Sequence, residues 1–220
     1  MKPDNLYTIY LSFLLRLGII CLTACLTVGQ SVSNFPKENS DALRDNFFAV
    51  LIGEKTPGGL VLVTKRCSQS GTPVQEQTPP GTVRERLEYL VLRNPEYRVV
   101  SENGVFNLLP ANSDIEFLNV KISEFNFEIN SSPAAVLDRL LNTKEITPKV
   151  QTLRLNKALE VGGGLSSPKV EKMMGFVQLR DVTVFDALNS IAKSYGAIWL
   201  YTQSHCNGET LTSLKFPVQF

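Results

Sequence analysis

The 220-residue chain has one histidine, one tryptophan, three methionines and no surplus of charge: 22 basic side chains stand against 21 acidic ones, a net charge of +1. Each scarcity removes a class of function. Without a basic excess, no long-range field draws the chain to a phosphate backbone or an anionic surface, so nucleic acid is not expected as a partner. One His and four scattered Cys offer no spacing that would assemble the ligands of a zinc site, and neither a metal nor another cofactor is expected. Catalysis lacks its parts as well. His205 and Cys206 are neighbours, but a nucleophilic thiol needs a base placed in its pocket, and adjacent side chains of an extended segment point to opposite faces. Asp181 and Asp186 form no acid pair, because Asp186 is engaged as a helix cap. Gly162-Gly163-Gly164 is not followed by the Lys-Ser/Thr of a phosphate loop. Asn130-Ser131-Ser132 matches a glycosylation sequon but reads better as a helix start. No catalytic residue emerges, and the chain is not expected to be an enzyme.

What is present begins at the N-terminus. Residues 1–29 carry Lys2 and Arg16, then the apolar run Leu17 to Thr23, then small residues, which is the grammar of an export signal. Leu22-Thr23-Ala24-Cys25 fits a bacterial lipoprotein box, making Cys25 a candidate for lipidation and hence for a membrane tether. Cleavage after Gly29 and an uncleaved anchor compete with that reading. Residues 6–28 are long enough to span a bilayer, although Arg16 within them costs roughly 2.5–3.5 kcal/mol on insertion scales. Either way the chain is expected to be exported, to the periplasm or to the face of the bacterial envelope. In an oxidising compartment Cys67 and Cys206 could pair, and such a long loop would contribute roughly 3–5 kcal/mol if the geometry allows closure. Two idle thiols are the equal alternative.

After a polar linker at 30–39, two α+β units are expected, at 40–110 and 120–220, joined by a connector at 111–119. Leu43, Phe47, Val50 and Leu51 lie on one face of a helix starting near Ser40, and "LVLVT" at 60–64 reads as a buried strand. Residues 67–81 read as a loop. Thr82 and Glu85 form a capping box for a helix striped by Val83, Leu87, Leu90 and Val91. Asn94-Pro95 stops that helix, and Asn103-Gly104 turns a hairpin between "YRVV" and "VFNLLP". Further on, "KISEFNFEIN" alternates like a half-buried strand, Ser132-Pro133 opens a helix, 150–159 is expected as a strand, and "FVQLRDVTV" as another.

Laying Thr183 on Thr82 without a gap matches Asp186 to Glu85, Leu188 to Leu87 and Ile191 to Leu90, and then Ile198, Leu200 and Tyr201 to Tyr97, Val99 and Val100. Helix cap, helix face and strand coincide, which reads as two copies of one small unit, each with helices packed on a short mixed sheet. Within the second copy, Trp199 and Tyr201 share one side of a strand. They are candidates for contact with a partner or ligand, against the plainer reading of core packing.

The segments "PPGTVRERLEYLVLRNPEYRVVSENGVFNLLP" and "LRDVTVFDALNSIAKSYGAIWLY" resemble the secretin and TonB-receptor short N-terminal domain, with Ala187-Leu188 matching that family's Ala-Leu pair and Arg86-Leu87 keeping only the leucine. The resemblance implies a periplasmic, non-catalytic module that works through contacts with an envelope protein, its sheet edges being the natural docking surface. A small-ligand-binding protein with a groove between the units is the alternative. The lipoprotein reading separates from the other two in one measurement: a chain lipidated on Cys25 incorporates a palmitate analogue and loses it in Cys25→Ser, whereas a chain cut after Gly29 or left uncleaved incorporates none.

Overall fold

A computed structural model describes residues 40–64, 79–156, 175–206 and 208–220, all within one compact unit, Lys37–Phe220. The export segment with Cys25, the linker, Cys67 and Gly162-Gly163-Gly164 lie outside the described residues, and of Cys206 only the backbone is described.

Local signals account for most of the elements. Helix α1 (Ser40–Gly53) buries Leu43, Phe47, Val50 and Leu51, spaced to fall on one face, and leads into strand β1 (Gly58–Thr64). Helix α2 (Val83–Arg93) opens on a complete capping box: the Thr82 hydroxyl accepts from the Glu85 amide, and the Glu85 carboxylate accepts from the Thr82 amide at 2.8 Å. Strands β2 (Tyr97–Glu102) and β3 (Val105–Pro110) form a hairpin through Asn103 and Gly104, whose φ values of 52° and 82° suit a two-residue turn. The connector contains a 3-10 turn at Glu116–Asn119 that buries Phe117 and Leu118. Strand β4 (Lys121–Glu128) buries Ile122, Phe125 and Phe127. Helix α3 (Pro133–Leu141) has Ser132 as its cap and proline in its first turn.

The next segment departs from expectation. Residues 150–159 were expected as a strand, yet Thr147–Leu153 is helix α4. Pro148 presets the helical φ at its start, the Thr152 hydroxyl donates to the Pro148 carbonyl, and Arg154 ends the helix with φ 46°. Apolar residues at 150, 153 and 155 fit either period, so position in the fold decides between them. Only Asn156, in a bridge beside Ser213, keeps strand character; residues 157–159 lie outside the described residues. Strand β5 (Phe176–Thr183), helix α5 (Val184–Tyr195) and strands β6 (Ala197–Cys206) and β7 (Glu209–Gln219) complete the order. Thr183 and Asp186 form the second capping box, and Gly196, with φ 55°, closes α5 in the left-handed region.

The fold class is α+β. The main sheet has five strands in the order β2-β3-β1-β6-β7, with β1 parallel to both β3 and β6, and β4 and β5 form a separate antiparallel pair. Strands from 40–110 and from 120–220 thus share one mixed sheet, instead of each segment building its own. The two Thr-capped helices pack on opposite faces of it. Leu87 and Leu90 of α2 join Leu43, Phe47, Leu60, Leu108, Ile198 and Leu200 in one core. Val184, Leu188 and Ile191 of α5 join Val61, Trp199, Tyr201, Ile122 and Phe127 in the other. The strand set against β6 in the gapless match of Thr183 to Thr82 is β2, which is at the edge of the sheet while β6 is internal. Burial therefore asks different side chains of the two strands.

Gly59 of β1 pairs with Trp199 of β6, and a Cβ at position 59 would lie 2.0–2.4 Å from the indole. Overpacking of this kind typically costs about 1–3 kcal/mol. Gly59→Ala is expected to lower the urea unfolding midpoint accordingly; a midpoint equal to wild type would show that the ring does not depend on that glycine.

Candidate functional site

Trp199 and Tyr201 do share one side of β6, as their alternation requires, but that side is interior. They are 0% and 1% exposed. The indole N–H of Trp199 donates to the Asn189 side-chain oxygen at 3.0 Å, and Phe185 meets the ring edge-on at a centroid distance of 5.9 Å. Tyr201 stacks on Phe117 at 5.9 Å. Both rings are packed against α5 and the connector, so neither is presented at the surface. His205 is exposed near the end of β6, its Nδ1 2.9 Å from the Thr210 hydroxyl across the β6–β7 ladder. Among the described residues no three His, Cys, Asp or Glu gather as a metal site, and no helix is long and apolar enough to cross a membrane.

Among the described residues, unmet bonding capacity runs along the edge of the main sheet at β2. The β2–β3 register sets Arg98 opposite Leu109, Val100 opposite Asn107 and Glu102 opposite Val105. The Ala111 amide donates to the Glu96 carbonyl just before β2 at 2.7 Å, so the even-numbered residues carry the ladder bonds to β3. The odd ones face away: Tyr97 sends its amide to Asn94 instead, and the N–H and C=O of Val99 and Ser101 point outward from the sheet. The opposite edge, β7, is partly covered, because Asn156 donates to the Thr212 carbonyl at 2.8 Å and bridges Ser213. In the β4–β5 pair, Asp181 takes a φ of 52° within β5 and breaks the run of extended backbone. Strand β2 is therefore the uninterrupted free edge of the main sheet among the described residues.

Beside this edge, on the α5 face, lies an open groove of about 210 Å³ lined by Val61, Arg98, Val100, Leu109, Ile115 and Phe185, with Asp114 and Asn119 bonded to each other at its rim. Arg98 is exposed and makes no ion pair or hydrogen bond with a described residue. Asn107 lies next to the groove floor, in the row Val100, Asn107, Gly59, Trp199 that crosses four strands. It is fully buried, and neither atom of its carboxamide has a partner among the described residues. Such a group typically costs about 1–3 kcal/mol. The exposed apolar residues Ile52, Leu92, Phe176 and Leu211 fall on four different elements, so none of these elements alone presents a patch of them.

The sequence did not single out Val99, Ser101 or Arg98. Their one local signal is the polar, irregular stretch after the hairpin, which shows that no strand follows β3 immediately; edge position itself is set by distant pairing. No family model, curated protein or solved structure matches the chain.

Buried tyrosines give the interior a pH signature. Burial pushes the Tyr201 phenol up to about 12, outweighing the opposing pull of the Thr212 hydroxyl, and burial also raises Tyr97 and Tyr195. The folded state holds the Tyr201 proton more tightly than an unfolded chain, whose tyrosine titrates near 10. Its contribution is whole below about pH 10 and is lost as pH rises toward 12. Tyr201→Phe, with no proton to lose, is expected to flatten the fall in stability across that window; an unchanged slope in alkaline urea titrations would contradict the assignment.

Proposed function

We propose that the chain is an exported, non-catalytic interaction module of the bacterial envelope, of the kind the short N-terminal domains of secretins and TonB-dependent receptors represent. It takes up an extended segment of another chain at β2. The observation that carries this reading is the outward-facing N–H and C=O of Val99 and Ser101 on an edge strand without a neighbour on that side among the described residues, which a docking strand would satisfy with main-chain hydrogen bonds. The export signal and the candidate lipid on Cys25 would hold the module at the envelope, where an envelope protein is its partner. Resemblance in the pattern of Thr-capped helix and following strand supports the same assignment.

A second reading, a periplasmic small-ligand-binding protein, is favoured by the groove, where Arg98 could meet an anionic group and Asn107 offers a buried amide close by. A ligand in that groove would raise the melting temperature in proportion to the logarithm of its concentration.

Val99→Pro separates the two. It removes an outward amide that the ladder to β3 does not use, a place where edge strands tolerate proline. The variant is expected to keep its fold by circular dichroism and to lose at least tenfold of the envelope protein that immobilised wild type captures, whereas a groove binder would keep its ligand-induced thermal shift unaltered.

A further inference from the structure

The side chains of β2 restrict which strand fits the edge. Arg98, Val100 and Glu102 alternate along the face that carries the groove. Arg98 and Glu102 are exposed, neither has an ion-pair partner among the described residues, and half-buried Val100 lies between them. The strand thus presents plus, apolar, minus at the spacing of successive same-face positions. An antiparallel partner must set minus, apolar, plus against these three positions in turn, and a copy of the same strand, laid antiparallel, does so.

We propose that β2 pairs antiparallel with β2 of a second copy of this chain, so that one sheet runs through both molecules about a two-fold axis at Val100. This rests on the reading of β2 as the docking edge and names the occupant. Symmetry leaves few registers, because the outward residues must face one another. With Val99 opposite Ser101 of the partner subunit, these residues exchange main-chain hydrogen bonds in both directions. Val100 then meets its own equivalent on the axis, and Arg98 lies opposite the partner's Glu102 twice, once on each side of the axis. Moving the register two residues one way sets Val99 opposite itself and puts Glu96 against Glu102 of the partner subunit, with like charges directly opposed. Moving it the other way sets Ser101 opposite itself and leaves Arg98 facing Gly104 of the partner subunit. Only the central register satisfies both charges, and its contact is isologous, so it closes at two copies instead of propagating into a fibre. The six-residue strand and the charges beside its outward amides limit pairing with unrelated edges.

The test uses the full chain in mild detergent, followed by sedimentation velocity. Wild type is expected to form a concentration-dependent dimer. Arg98→Glu and Glu102→Arg alone place like charges at both symmetric positions and are expected to weaken association by about tenfold or more. An equimolar mixture of the two single variants restores both opposite-charge pairs and is expected to dimerise, as is the double variant R98E/E102R. Association through the apolar N-terminal segment would ignore these exchanges. In parallel, Val100→Cys is expected to yield a covalent dimer on mild oxidation beyond any formed by the natural cysteines, since facing residues of a non-hydrogen-bonded pair lie about 4.5 Å apart between α carbons. Wild type that stays monomeric, single variants that dimerise as well as wild type, or a mixture that fails to recover would each overturn the pairing. If the chain is monomeric and Val99→Pro still abolishes capture of an envelope protein, the docking edge stands and the second copy is not its occupant.

Discussion

The indole of Trp199 occupies the space that any side chain at position 59 would need, and the rest of the molecule is arranged around that contact. Because Gly59 yields the room, β1 and β6 can run side by side with a large ring packed across them. The ring then gives α5 its landing place, with Asn189 accepting the indole N–H and Phe185 against the ring edge. Gly58 is under a similar demand, since a Cβ there would lie 2.4 Å from both Leu51 of α1 and the Phe106 carbonyl of β3. The two glycines let helices or rings approach the central strand from opposite faces while both its edges are paired. A strand buried in this way reads as a nearly continuous apolar run, and "LVLV" after the glycines has that character.

This centre explains why two similar local units end in different roles. Each contributes a Thr-capped helix followed by a hairpin, but β1 pairs with the second strand of one hairpin, β3, and with the first strand of the other, β6. The internal strand acquires Trp199 and Tyr201 and loses them to the core; the outer strand keeps Arg98, Val100 and Glu102 half or fully exposed. The exposed charges therefore gather on the less hydrophobic of the two strands. The connector takes part as well, through Phe117 on Tyr201, so it is a packed element and not only a tether.

Features that depend on a few adjacent residues were legible. Both capping boxes need only a hydroxyl and a carboxylate three residues apart, and both form. The Asn103-Gly104 turn needs two residues that tolerate positive φ, and the stripe of α1 needs only its spacing. Helix α4 was misread because Val150, Leu153 and Leu155 satisfy both periods and the segment is too short for pattern to choose. The candidate site was hardly legible. An aromatic pair on one side of a strand looks alike whether that side faces water or a helix, and the outward amides of Val99 and Ser101 look like those of any other residue.

The sequence by itself determined the α+β character, the caps, the hairpin turn and the apolar faces, because each is a relation between residues within a turn or two of one another. Tertiary structure alone decided that β1 would bring both halves into one sheet, that Trp199 and Tyr201 would be interior, and that β2 would be left at the edge. Those outcomes depend on pairings between segments up to 140 residues apart, such as the bond from the Thr64 hydroxyl to Ser204. Local propensity carries no information about which distant strand will supply the missing hydrogen bonds.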